Sequence, residues 1–187
     1  MRVTKEPEVR KQEILDTALK LFGENGYEKT SMTDIAKAIG VAQGLCYRYF
    51  PSKEALFDSA LEQYADILVE QFVGSEKDDH KTLRQIIEDM PSSTMEERDT
   101  KYYSAFHGIE NKKFHNQLSL KVCEKLVPLV EELLQRARDK GEIHFDDLRA
   151  ATMFCVYGQL GILLADDLTQ EDKAKKIRKF LIFALHL

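Results

Sequence analysis

The amino-acid sequence predicts an all-α fold of about nine helices. Apolar residues recur at helical spacing from the first segment to the last, and no stretch alternates apolar and polar residues long enough to make a strand. With 187 residues, 43% hydrophobic and 32% charged, the chain can close a core without a disulfide or metal staple and still present a solvated surface.

The first helix is expected over about residues 7–25, with Ile14, Ala18, Leu21 and Phe22 on one face, Pro7 in its opening turn and Gly26 as a left-handed cap. Ser31 and Asp34 have the spacing of a capping box, and Met32, Ile35, Ala36 and Ile39 supply the apolar face of a short second helix over 33–39. Gly40 permits the sharp corner of the turn 40–42, and a third helix over 43–50 stops where Pro51 disfavours helical geometry at its predecessor. Ser52 caps a long fourth helix to about Phe72, with Leu56, Phe57, Ala60, Leu61, Tyr64, Ile67 and Leu68 inward. After a polar linker over 74–80 come helices over 83–90, 95–109 and 111–140, the last with Pro128 inside it, where a kink is expected. Helices over 146–165 and 169–187 finish the chain.

Charge and motif content narrow the function. Net charge is −5, yet residues 1–53 hold nine basic and seven acidic side chains whereas 54–187 hold 18 basic and 25 acidic, so the basic end is the N-terminal one. Helix, three-residue turn, helix over 33–50 is the spacing that lays a second helix across the first so that it can enter a major groove. The outer face of that second helix carries Gln43, Gly44, Tyr47, Arg48 and Tyr49, hydrogen-bonding or small groups in place of the usual Glu/Lys mix. Gln pairs with adenine edges, Arg with guanine O6/N7, and a tyrosine hydroxyl or Lys53 with phosphate oxygens. A helical module that docks protein through the same face is the competing interpretation. No HExxH, CxxC, paired Glu-x-x-His, GxSxG or GxxxxGK[ST] pattern occurs, so neither an enzyme nor a metal or other cofactor is expected. Cys46, Cys123 and Cys155 sit far apart among apolar residues, the usage of reduced thiols in a cytoplasmic protein. The charged opening has no apolar signal core, and the most apolar segment, 150–165, is too short to cross a bilayer, so no membrane partner is expected.

The run LFGENGYEKTSMTDIAKAIGVAQGLCYRYFPSKEALF resembles the DNA-binding domain of the tetracycline-repressor (TetR) family. Matches fall at Leu21, Phe22, Gly26, Tyr27, Thr30, Ser31, Ile35, Ala36, Gly40, Val41, Gly44, Tyr47, Tyr49, Phe50, Ser52, Lys53, Glu54, Leu56 and Phe57. The resemblance implies a three-helix DNA-binding domain over 1–54 and a larger helical effector-binding and dimerisation domain over 55–187. It implies a regulator, commonly a repressor, that holds a palindromic double-stranded operator as a homodimer and is released by a small, largely apolar effector. Tyr47, Tyr49 and Lys53 match positions that grip phosphate, with Ser31 or Thr33 adding a contact, and Gln43, Gly44, Leu45 and Arg48 match positions that read base edges. Tyr47 could instead close the small core, and Lys53 could be a solvated first-turn lysine. Cys46 departs from the family's large aliphatic residue there and is expected in the core, with no basic group visible beside it in sequence.

Past Leu56 and Phe57, from about the start of the second domain onward, no motif matches. Pocket-lining candidates are Tyr64, Met90, Met95, Tyr102, Tyr103, Phe106, His107 and Phe114, since aromatic and Met surfaces with a few polar tips suit an apolar ligand; plain core is the alternative for each. The segment 150–165 is apolar around nearly its whole circumference, so it needs cover on both faces. With Gly158 and Gly161 allowing close approach, and Ile177, Phe180, Leu181 and Ala184 on the last helix, these two helices are expected to pack on their copies in a second subunit.

Overall fold

The computed structural model describes residues 5–73, 80–90 and 112–187. Among them it holds nine helical segments and no strand: α1 (Pro7–Asn25), α2 (Met32–Ala38), α3 (Gln43–Tyr49), α4 (Lys53–Val73), α5 (Leu83–Glu88), α6 (Lys112–Asp139), α7 (Leu148–Tyr157), α8 (Leu160–Leu163) and α9 (Gln170–Ala184). The expected helix over 95–109 lies outside the described residues. These residues form two compact units, one reaching Tyr64 and one beginning at Ala65.

In the first unit the predicted inward faces meet. Ile14, Ala18 and Phe22 of α1, Ile35 of α2, Cys46 of α3 and Leu56, Ala60 and Leu61 of α4 are fully buried, while Leu21, expected among them, is only half-buried. Leu15 and Leu19 widen the buried stripe of α1 beyond the predicted set. The end of α1 differs from the left-handed cap expected: Gly26 has φ 85° and ψ 152°, an extended mirror-image conformation in which its N–H still reaches the Phe22 carbonyl. Only glycine adopts that geometry without strain, and it sends the chain off at once towards Tyr27. Thr30, buried at 2% exposure, ties the corner down by donating from Oγ1 to the carbonyls of Gly26 (2.9 Å) and Leu21 (3.1 Å).

The turn between α2 and α3 uses Gly40 at φ 70°, with the Val41 N–H donating to the Ala36 carbonyl at 2.9 Å. Ser52 starts α4 as predicted, its Oγ accepting from the Ala55 N–H at 3.1 Å.

The second unit is built around Leu83 and Ile87 of α5, Leu133, Leu134 and Ala137 of α6, Ile143, Leu148 of α7, and Ile177, Leu181 and Leu185. Helix α6 runs unbroken through Pro128. The single helix expected over 146–165 is instead two pieces, α7 and α8, parted at Gly158 and Gln159. Gln159 Nε2 takes the Cys155 carbonyl at 2.6 Å, the acceptor that a continuing helix would pair with the Gln159 backbone N–H. Two glycines in this stretch lower helix propensity further. Among the described residues no helix is long and apolar enough to cross a membrane.

Candidate nucleic-acid interface

Helix α3 rests on its neighbours through one buried side chain. Cys46 is 0% exposed, and it is the only buried residue among the seven of α3. Everything else on the helix is therefore turned outward or sideways: Gln43, Gly44, Tyr47 and Arg48 are exposed, Leu45 and Tyr49 half-buried. Tyr47, at 45% exposure, is not a ring closing the core. A Cβ at Gly44 would meet nothing within 4 Å, so the outer surface of the first turn is open.

The platform beneath α3 is α2, seated by buried Met32, Ile35 and Ala36. Its capping box is complete. Ser31 Oγ accepts from the Asp34 N–H (3.2 Å), the Ser31 N–H donates to Asp34 Oδ2 (2.9 Å), and Ser31 Oγ also donates to that oxygen (2.6 Å). These bonds from Ser31 hold the Asp34 carboxyl below its usual range. The Ser31 hydroxyl proton is thus engaged within the cap, whereas Thr33 is exposed.

Lys53 is not a solvated first-turn lysine. Its Nζ donates to the Tyr27 carbonyl at 3.0 Å and sits 4.1 Å from the centroid of the Tyr27 ring. That ring packs in turn on Phe57 (centroids 4.6 Å apart) and Phe22 (5.3 Å), and its hydroxyl lies 3.4 Å from Glu54 Oε1. Burial, with Glu54 adding to it, pushes the Tyr27 phenol up to about 12, so the ring stays neutral at any working pH. Neither Tyr27 nor its link to Lys53 was among the predicted site residues; 26 positions separate the pair, and no local spacing connects them.

Sequence adjacency hid one more neighbour. Burial raises the Cys46 thiol above its ordinary value, while the charge of Arg10, from α1, lowers it in part. A basic group therefore does stand near Cys46, contrary to the expectation from sequence, but burial outweighs it and the thiol stays protonated.

Of the predicted pocket residues, the side chains of Tyr64 and Met90 are described. Tyr64 is buried at 3% exposure in the first unit, and Met90 is half-buried against the core of the second. Tyr102, Tyr103, Phe106 and His107, with Met95, lie outside the described residues, as does the side chain of Phe114.

A polar-edged short helix held across its partner by a small apolar core defines a helix-turn-helix protein. Residues 14–60 match the family described as "Bacterial regulatory proteins, tetR family". The chain is 33% identical over 144 residues to an uncharacterised HTH-type transcriptional regulator, YuxN, of Bacillus subtilis, covering 72% of this chain and 43% of that protein. It is 37% identical over 81 residues to the HTH-type transcriptional repressor KstR2 of Rhodococcus jostii, covering 42% and 40% respectively. The chain thus spans about two fifths of the length of these curated relatives. Its fold over nearly the whole length is that of Salmonella enterica GusR, with a TM-score of 0.68, 24% identity and 98% of each chain covered. Residues 14–60 thus belong to the TetR family.

Proposed function

We propose that this protein is a sequence-specific DNA-binding transcription regulator, a repressor that leaves its operator when a small molecule binds. The observation that carries the proposal is the stance of α3: one buried cysteine faces inward, and Gln43, Gly44, Tyr47 and Arg48 are exposed. In this function Gln43 and Arg48 read base edges beside Leu45, Gly44 lets the backbone come close to the groove, and Tyr47, Tyr49 and Lys53 hold phosphate. Thr33 suits a phosphate contact better than Ser31, whose proton is engaged by Asp34. The division of labour is DNA binding over 1–54 and effector binding and dimerisation over 55–187.

The partners are double-stranded DNA with a palindromic site, a second copy of the chain, and a largely apolar effector. Exposed apolar side chains support the dimer: Phe154 on α7 is 79% exposed, and Phe180 and Phe183 on α9 are 58% and 75% exposed. Exposed aromatic side chains of this size suit a subunit interface. Ile177 and Leu181, expected with Phe180 to face the partner, are buried in the protomer's own core, so the proposed contact keeps Phe180 and adds Phe183. Two recognition helices read successive half-sites ~34–36 Å apart, so only a dimer covers a palindrome. Tyr64 and Met90, with Tyr102, Tyr103, Phe106, His107 and Phe114, are proposed for the effector site. A regulator of transcription works where the chromosome is, and three free thiols suit a reducing cytoplasm.

Selection from a random duplex library tests the proposal. The protein should enrich one palindromic site, bind it with affinity that falls steeply between ~50 and ~200 mM salt, and change its preferred site when Gln43 or Arg48 is replaced by Ala. An unchanged site in both variants would remove the base-reading roles. No enrichment at all, with binding indifferent to salt, would point to a protein-docking module.

A further inference from the structure

We infer that Tyr27 is a positioning residue of the DNA interface, holding the Lys53 ammonium ready for a phosphate; the inference rests on the DNA-binding function proposed above. A lysine that grips phosphate from the surface normally brings a freely rotating four-carbon stem and loses that freedom on binding. Here the stem is already ordered. One of the three N–H donors of Lys53 is used on the Tyr27 carbonyl at 3.0 Å, and the charge lies 4.1 Å from the face of the Tyr27 ring. The ring attracts the cation without consuming a donor, which leaves two N–H groups for an anion.

The ring itself has little room to move. It packs on Phe57 and Phe22, its hydroxyl reaches Glu54, and its backbone leaves α1 through the glycine-only geometry of Gly26. Glu54, the one acidic group beside the ring on α4's first turn, is kept ionised by bonds from its own N–H and Ser52, with a smaller one from Tyr27. The Tyr27 hydroxyl lies 3.4 Å from Glu54 Oε1, while the Lys53 charge also acts on that carboxylate. Corner, ring and lysine therefore form one unit from three separate segments of chain, and its output is a fixed positive charge at the start of α4, close in sequence to the reading helix.

The full-length protein and its selected operator provide the test. Lys53→Met should weaken binding and lower the salt slope by about one phosphate contact. Tyr27→Phe keeps ring and carbonyl and should retain the slope. Tyr27→Leu removes the ring and should bring the slope towards the Lys53→Met value, with the two changes together costing scarcely more than either alone. Because Tyr27→Leu also opens the Phe22–Phe57 packing, a second series keeps shape constant: fluorinated phenylalanines at position 27, from one to three fluorines, drain the ring face stepwise. Affinity should fall in step, by about two- to fivefold across the series, with thermal stability unchanged. A flat fluorine series, or additive losses for Lys53→Met and Tyr27→Leu, would overturn the inference while leaving DNA binding intact. If the unaltered protein shows no salt-dependent operator binding, the function beneath it fails and the inference falls too.

Discussion

At the residue scale, the start of α2 shows how much one polar pair contributes. Ser31 and Asp34 satisfy one another and the open N–H groups of a seven-residue helix that has little stability of its own. Ser31→Ala should lower the stability of the folded protein by about 0.5–2 kcal/mol, measured by denaturant unfolding at neutral pH. The carboxyl of Asp34 is depressed in the folded state, so its contribution is fully present above the ordinary carboxylate range and is lost as pH falls through the depressed value. The penalty of Ser31→Ala should therefore shrink in strong acid; a penalty constant down to pH 2 would show that the cap acts without the carboxylate. The thiols follow the opposite sign. Burial pushes Cys123 and Cys155 up to about 11, so the native protein should react with an aromatic disulfide reagent far more slowly than the unfolded chain, and stability should decline as pH rises through the ordinary thiol range towards 11. The capping box was legible in the sequence because its partners stand three residues apart. Tyr27 with Lys53, and Arg10 with Cys46, were not, since each pair meets only after α1 and the later helices have packed.

At the element scale, the helices α1 to α4 could be read to within a residue or two. Each carries a local stop or start, Gly26, Ser31, Gly40, Pro51 or Ser52, next to a periodic apolar face. The stretch that misled is the one where the local signals conflict. Residues 148–163 are apolar almost throughout, which argues for one buried helix, yet Gln159 competes for a helix carbonyl and Gly158 lies in a tight place: a Cβ there would come within 2.4 Å of the Phe154 carbonyl oxygen. Gly158→Ala must move that backbone and should destabilise the second unit by at least the roughly 1 kcal/mol of an ordinary single strained site. Gly161, with open space where its Cβ would be, should accept alanine with no loss, or a gain of a few tenths. Thermal melts of the two variants check the contrast; equal behaviour would mean the break between α7 and α8 carries no strain.

At the scale of the whole molecule, the segment 150–165 was expected to be covered on both faces, with the last helix beside it, and the protomer leaves part of the apolar surface of both helices open. Leu148, Thr152 and Val156 of α7 and Ile177 and Leu181 of α9 point into the core, while Phe154, Phe180 and Phe183 face out. Periodicity alone could not divide the apolar residues between the two destinations, because burial in a core and burial under a partner demand the same residue types. Phe154→Glu with Phe183→Glu should therefore leave the helical content intact, convert the protein to a monomer by light scattering at micromolar concentration, and abolish binding to a full palindrome. A dimer that survives both charges would place the subunit contact elsewhere. The segment holding most of the predicted effector residues lies outside the described structure, so ligand specificity is tested through Tyr64 and Met90, by thermal shift with small apolar compounds in the parent and in Tyr64→Ala and Met90→Ala.

Helix α5 is six residues long, too short to persist alone in water, and it is gripped at both ends by side chains from elsewhere. Glu142 accepts from the Leu83 N–H at 2.6 Å at its positive end, and Arg178 donates to the Met90 carbonyl at 2.8 Å just past its negative end. Its amides are consequently a built-in gauge. Their rate of exchange with heavy water reports whether the loop after α6 and the middle of α9 are both still seated, and a loosening at either place would register in α5 before the longer helices lose a single protected proton.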